Sequence, residues 1–418
     1  MQSQRSVYAW ALYDWANSAF ATTVMAGFFP LFFKQYWSAD VPATQSTFHL
    51  GVANSLASLL VVVLAPILGA LADQARGRKR FLAAFAALGV LTSASLYLVG
   101  QGAWQLAAVL YVLGVIGFSG SNIFYDALLV AVAAPKDRDR VSALGFALGY
   151  LGGGLLFAVN VAMTLRPHWF GLADASEAVR WSFLTVGLWW GAFTVPLLLA
   201  VDEPPGTAPA ALGWGALVRG AFRQLADTFR HLRSYGLALR FLIAYWLYID
   251  AVDTIVRMAV DYGLSIGLDS GSLIAALLLT QFVGVPAAIV FGRIGERVGA
   301  RNGILAGLAV YIGVTFYAYY LDSATEFFVL AAVIGLVQGG VQALSRSLFS
   351  RLIPVERAAE FFGFYNMLGK FAAVIGPFLV GAVSVLTGDP RLGLLSLLLL
   401  FIAGAAVLCT VPLEQRLR

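Results

Sequence analysis

The chain has 418 residues, of which 60% are hydrophobic and 12% charged, with a mean hydropathy of +0.82. Soluble domains carry about twice that charged fraction, so a water-soluble fold is excluded and lipid is part of the solvent. The net charge of +5 is scattered in short basic clusters between apolar runs, a pattern of membrane topology that excludes a nucleic-acid partner. Cys409 is the single cysteine, which rules out an intrachain disulfide, a cysteine-rich zinc site or a redox pair. His49, His168 and His231 are too dispersed for a histidine metal site, so neither metal nor cofactor is expected.

A span needs about 20 predominantly apolar residues, and twelve such stretches follow one another. Backbone groups in lipid must find partners within their own segment, so each is expected to be a helix. The first, 7–33, is too long for a signal-peptide core and reads as retained; it carries Asp14, Asn17 and Ser18 on one face. The second and third, 49–72 and 81–100, flank Gly69-Ala-Leu-Ala-Asp73-Gln-Ala-Arg76-Gly77-Arg78-Lys79-Arg80. The fourth, 105–134, has a polar stripe of Ser119, Asn122 and Asp126. The fifth, 141–165, contains Gly152-Gly153-Gly154, which permits close helix packing, and the sixth is 179–201.

A linker over 202–237 opens on Asp202-Glu203-Pro204-Pro205-Gly206, a helix stop. Trp214, Leu217, Val218, Ala221, Leu225, Phe229 and Leu232 then recur at helical spacing opposite Arg219, Arg223, Arg230 and Arg233. This predicts an amphipathic helix on the cytoplasmic leaflet that tethers two halves.

The seventh span, 238–262, places Asp250, Asp253 and Arg257 on one face. The eighth and ninth, 271–292 and 302–321, flank Gly292-Arg-Ile-Gly-Glu296-Arg297-Val-Gly299-Ala-Arg301. The tenth, 326–353, carries Gln338, Gln342, Ser345 and Arg346. The eleventh, 361–387, sets Lys370 among Tyr365, Asn366 and Gly369, and the twelfth is 391–413. Trp10, Trp37, Trp104, Trp169 and Trp214 fall near span ends, where aromatic belts form.

Of the 27 lysines and arginines, 20 fall on one side of these spans and 4 on the other. The positive-inside rule therefore puts both termini in the cytoplasm. The two halves also repeat. Asp14-Trp-Ala-Asn17-Ser18 matches Asp250-Ala-Val-Asp253-Thr254, Val115-Ile116-Gly117 matches Val333-Ile334-Gly335, and Gly145-Phe146 matches Gly363-Phe364. Each ionisable residue at a helix centre costs roughly 2.5–3.5 kcal/mol on insertion scales. Asp14, Asp126, Asp250, Asp253, Arg257, Arg346 and Lys370 must therefore face a cavity or one another. The acids are expected to form ion pairs or to carry protons, because desolvation favours a neutral carboxyl group and an approaching cation favours the charged one. Asn17, Asn122, Gln338, Gln342, Arg346, Tyr365, Asn366 and Lys370 are expected to bind substrate, the two cations suiting a carboxylate or phosphate.

The loop motifs resemble the cytoplasmic signature of the major facilitator superfamily, with an acid four residues after a glycine, then a second glycine and a basic cluster. Gly69, Asp73, Gly77 and Arg78 form one expected gate, and Gly292, Glu296, Arg297 and Arg301 the other; the first copy has one extra residue between Asp73 and Gly77. Tyr13-Asp14-Trp15-Ala16-Asn17-Ser18-Ala19-Phe20, Gln338-Gly339-Gly340-Val341-Gln342-Ala343-Leu344-Ser345-Arg346-Ser347 and Glu360-Phe361-Phe362-Gly363-Phe364-Tyr365 resemble the vacuole effluxer, or autophagy-related, branch of that superfamily. Ser142-Ala-Leu-Gly145-Phe146-Ala-Leu-Gly149-Tyr150 and Leu247-Tyr248-Ile249-Asp250 do so too.

The resemblance implies an all-α membrane protein of twelve transmembrane helices in two pseudo-symmetric six-helix bundles, 1–201 and 238–418. It also implies a cavity lined by the first, fourth, seventh and tenth helices. Fungal members are linked to amino-acid efflux from the vacuole, so the expected function is secondary transport of a small polar metabolite, an amino acid foremost, by rocker-switch alternating access with proton coupling. Short loops and termini suggest a bacterial inner-membrane protein, expected to be a monomer with lipid, substrate and protons as partners. No nucleophile–base pair or metal cluster suggests an enzyme, and a twofold duplication does not suggest a channel. A lipid translocator or an exporter of drugs and amphiphiles on the same fold is the alternative, and it predicts a more apolar cavity.

Overall fold

A computed structural model describes residues 4–75, 77–203, 214–230, 232–265, 270–321 and 323–412. Twelve long helical segments follow in order, with no strand among the described residues. The first runs Gln4–Trp37, then Ala43–Ala75, Arg78–Ser95, Trp104–Val132, Arg138–Leu165 and Ala175–Ala200. The linker helix is Trp214–Arg230; the linker stretch 204–213, Arg76 and His231 lie outside the described residues. The seventh helix is Gly236–Ser265, followed by Ser270–Val298, Ala300–Ala318, Ala324–Leu352 and Ala358–Thr387. The twelfth is split into Pro390–Leu395 and Leu397–Cys409. Ten of these segments are long and apolar enough to cross a membrane; the seventh and the short ninth are the other two.

Local chemistry sets the boundaries. The Asp174 carboxylate accepts the Glu177 N–H at the start of the sixth helix, and Ser323 with Glu326 forms a reciprocal capping box on the tenth. Gly299 (φ 86°) turns the chain between the eighth and ninth helices, and Gly388 (φ 71°) ends the eleventh, both in a backbone region that suits a residue without Cβ. The first helix widens into π-turns over Phe20–Phe28 and Phe33–Trp37.

In the first half the first helix packs on the fifth and sixth, and the fourth packs on the second and third. In the second half the seventh packs on the eleventh and twelfth, and the tenth on the eighth and ninth. The glycine run of the fifth helix is what allows its close approach to the first. A Cβ on Gly152 would stand 2.6 Å from the Trp15 carbonyl oxygen, and one on Gly153 would stand 2.9 Å from Thr22 Oγ1. The halves meet chiefly where the second helix packs on the eleventh and where the fifth packs on the eighth. These two contacts exchange under the internal repeat.

Candidate functional site

A cavity of about 400 Å³ lies between the halves, walled by the first, fourth, fifth, seventh, eighth, tenth and eleventh helices. Ten of the residues expected in the polar centre line it: Asp14, Asn17, Asn122, Asp126, Asp253, Gln338, Gln342, Arg346, Tyr365 and Asn366. Two others stand apart. Lys370 is half-buried about one turn beyond Asn366 and does not line the cavity. Asp250 is buried against the eleventh helix. The side chain of Arg257 lies outside the described residues.

Arg346 organises one wall. It is 3% exposed, and its guanidinium reaches two acids of the opposite half, with Nη1 3.1 Å from Asp126 Oδ1 and Nη2 3.3 Å from Asp14 Oδ2. Nε donates to Ser142 Oγ at 2.9 Å, and Nη2 to the Ser142 carbonyl at 2.9 Å. The rings of Trp10, Tyr125 and Phe146 surround it at 4.9, 5.2 and 4.4 Å, adding cation–π attraction in a desolvated setting. Tyr125 donates to Asp14 Oδ2 at 2.7 Å, and Asn366 donates to Asp126 Oδ2 at 3.1 Å. Each carboxylate therefore meets both the arginine and a neutral donor, which is what makes buried charge tolerable. Asn17 donates to Asn122 at 2.6 Å, closing the floor between the first and fourth helices.

Sequence reasoning missed several lining residues, among them Thr22, Phe146, Tyr150, Tyr245 and Gln281. Gln281 carried a usable signal, being a lone amide in an apolar run; it donates to Thr22 at 3.2 Å across the halves. A second, mainly apolar chamber of about 310 Å³ adjoins the first and shares Ala21, Thr22, Tyr150, Gln281 and Gln338 with it. Leu273, Ala276, Leu277, Phe327, Leu330 and Ile334 line its far side. The combined space offers opposite charges at one end and hydrocarbon at the other.

The two loop motifs lie at the arginine-rich face. Asp73, 2% exposed, binds Arg78 at 2.6 Å and also accepts the backbone N–H groups of Ala359 and Glu360. Arg78 in turn donates to the Val355 carbonyl at 3.0 Å. Gly69 faces the Ala359 backbone, where a Cβ has no room; Gly77 is the residue before the third helix. In the second copy Gly292 packs on Ala143, while Glu296 is exposed and 3.9 Å from Arg140. The closest ion pair there is Arg351–Asp139 at 2.9 Å, with Asp139 buried and Arg351 partly so, and Arg138 donates to the Ser350 carbonyl at 2.8 Å. Arg297 is exposed, and Arg301 holds the Val411 carbonyl at 2.7 Å within its own half. The linker helix joins the first contact: Gln74 donates to Gln224 at 2.7 Å, Gln224 to Glu360 at 2.6 Å, and Arg357 to Glu360 at 2.9 Å.

Residues 42–418 match the family model described as vacuole effluxer Atg22 like. Over 408 residues the chain is 38% identical to the MFS-type transporter YxiO of Bacillus subtilis (strain 168), covering 97% of this chain and 94% of that protein. It is 23% identical to autophagy-related protein 22 of Coccidioides immitis (strain RS), covering 99% and 88%. Among solved structures it resembles the human organic anion transporter MFSD10 (TETRAN), with a TM-score of 0.74 at 15% identity over 97% of this chain and 99% of that one. The proton:xylose symporter XylE bound to 6-bromo-6-deoxy-D-glucose gives 0.71 at 13% identity, over 98% and 95%. At these identities the likeness is one of fold. The chain is an integral membrane transporter of the major facilitator fold and belongs to the Atg22-like vacuole effluxer family.

Proposed function

We propose that the chain carries a small zwitterionic metabolite, an amino acid foremost, by alternating access of residues 1–201 and 238–418, with 202–237 as the tether. The observation that carries this reading is the cavity between the halves, which offers the carboxylates of Asp14, Asp126 and Asp253 together with the Arg346 guanidinium. A molecule with an ammonium and a carboxylate can compete for both partners of the Asp14–Arg346–Asp126 cluster. Loosening that cluster links binding to the contacts between halves, as a carrier requires. Proton coupling follows if substrate displaces Arg346 from a carboxylate and a proton takes its place. Lys370 enters the reading as a cation recruited in another conformation. The contacts at the arginine-rich face support a state closed on that side, which the charge pattern assigns to the cytoplasm of a bacterial inner membrane, with both termini there and the chain acting as a monomer.

Uptake of labelled amino acids into proteoliposomes, with and without an imposed pH gradient, tests this. Saturable uptake that is accelerated by the gradient is expected. Purely equilibrative flux sinks the coupling, and the absence of uptake across the amino-acid panel sinks the substrate class. The apolar chamber favours one second reading, an amphiphile with a charged head and an apolar body. In that case, binding in a thermal-shift screen is confined to cationic or zwitterionic amphiphiles.

A further inference from the structure

Asp250 is 1% exposed yet faces neither the cavity nor Arg346. Its Oδ1 accepts the backbone N–H of Gly376 at 2.9 Å and the Thr254 hydroxyl at 3.4 Å. The same carboxylate also meets the backbone N–H of Ile375, one residue before Gly376. Pro377, the residue after Gly376, stands inside the eleventh helix, where its missing N–H breaks the hydrogen-bond ladder and its ring crowds the carbonyl four residues earlier. Position 376 is glycine because a Cβ there would collide with Thr254 Oγ1 and stand 2.8 Å from Asp250 Oδ1.

We infer that Asp250 is a positioning residue that pins the eleventh helix to the seventh at the Pro377 break by accepting the Gly376 N–H. The position requires an acceptor oxygen, not a negative charge. The break lies about three turns beyond Tyr365 and Asn366, so the pin sets where those two residues meet the cavity. Only this consequence for transport rests on the proposed function; the pin itself does not.

Hydrogen exchange of the full-length protein in nanodiscs, read by mass spectrometry on peptides spanning 375–376, tests the pin. Asp250→Ala is expected to speed exchange there about tenfold, the loss of one buried hydrogen bond, while Asp250→Asn, which keeps an acceptor oxygen, exchanges like the wild type. Adding Pro377→Ala to Asp250→Ala restores the missing N–H, lets the turn close, and returns protection. Faster exchange in Asp250→Asn, unchanged exchange in Asp250→Ala, or no recovery in the double variant overturns the inference. If Asp250→Ala does not fold, Asp250→Asn decides alone, with wild-type exchange supporting the pin and faster exchange overturning it. Proteoliposome uptake is scored separately, so a wild type that moves no amino acid removes the proposed substrate and leaves the exchange result standing.

Discussion

Asp73 accepts the backbone N–H of Glu360 at 2.8 Å, so an acid at the end of the second helix caps the eleventh helix of the other half. It also holds Arg78, whose Nη2 reaches the Val355 carbonyl. A capping acid is worth about 0.5–2 kcal/mol, and its removal also leaves Arg78 buried without its carboxylate. Asp73→Ala is therefore expected to lower the population closed at the arginine-rich face about tenfold or more. A cysteine at Ser350, buried in this face, in a Cys409→Ser background should react with a maleimide correspondingly faster. An unchanged rate would show that the cap does not hold the closed state.

Arg346 supports two acids at once, so its loss should cost more than that of either acid. Removing one partner of a buried ion pair costs about 3–5 kcal/mol because the other charge is left uncompensated. Arg346→Gln should sharply lower the unfolding temperature, followed by tryptophan fluorescence in detergent. Arg346→Lys should recover only part of that loss, since one ammonium cannot match the planar fork that meets Asp14, Asp126 and Ser142 together. The triple variant Asp14→Asn, Asp126→Asn, Arg346→Gln should be more stable than Arg346→Gln alone. If it is less stable, the cluster is held by its hydrogen bonds and not by charge balance.

Gly145 lies where the acid, the tyrosine and the arginine converge. A Cβ there would stand 2.6 Å from Asp14 Oδ2, 2.8 Å from Tyr125 Oη and 3.0 Å from Arg346 Nη2. Gly145→Ala should destabilise the protein by overpacking, typically about 1–3 kcal/mol. Gly51→Ala is the matched control, because nothing stands within 4 Å of its added Cβ. That change should be neutral or stabilising by roughly 0.5–1 kcal/mol. Equal thermal shifts for the two variants would remove the steric argument.

The twelve-helix plan was legible because lipid makes length and apolarity nearly sufficient signals. The stripe on the tenth helix was legible for a related reason: Gln338, Gln342 and Arg346 recur at helical spacing where polar groups are costly. Partner choice was not legible. Asp14 and Asp250 occupy matched positions in the repeat, yet one meets Arg346 of the tenth helix and the other a backbone N–H of the eleventh, partners that only the packing of other helices supplies. The gate split in the same way. Asp73 pairs with Arg78 inside its own motif, but the ion pair beside the second copy is Arg351–Asp139, drawn from residues outside that motif. Tyr150 and Tyr245 read as ordinary aromatic residues because only packing turns them toward the cavity.

The apolar chamber sets the last expectation. Ala276 is buried and lines it, at a distance from the charged cluster, so Ala276→Phe occupies hydrocarbon space while leaving Arg346 and its acids alone. Burying a leucine-sized side chain is worth about 1.5–3 kcal/mol, and tenfold in affinity is about 1.4 kcal/mol. A substrate that places its side chain in this chamber should therefore lose roughly tenfold or more in affinity for the variant, whereas one too small to reach it should bind as before. Thermal-shift titrations with leucine and phenylalanine against glycine and alanine separate these outcomes. Equal weakening across all four ligands would mean that the substitution disturbs the whole site; no weakening of the large ones would mean that the chamber is not where a side chain goes.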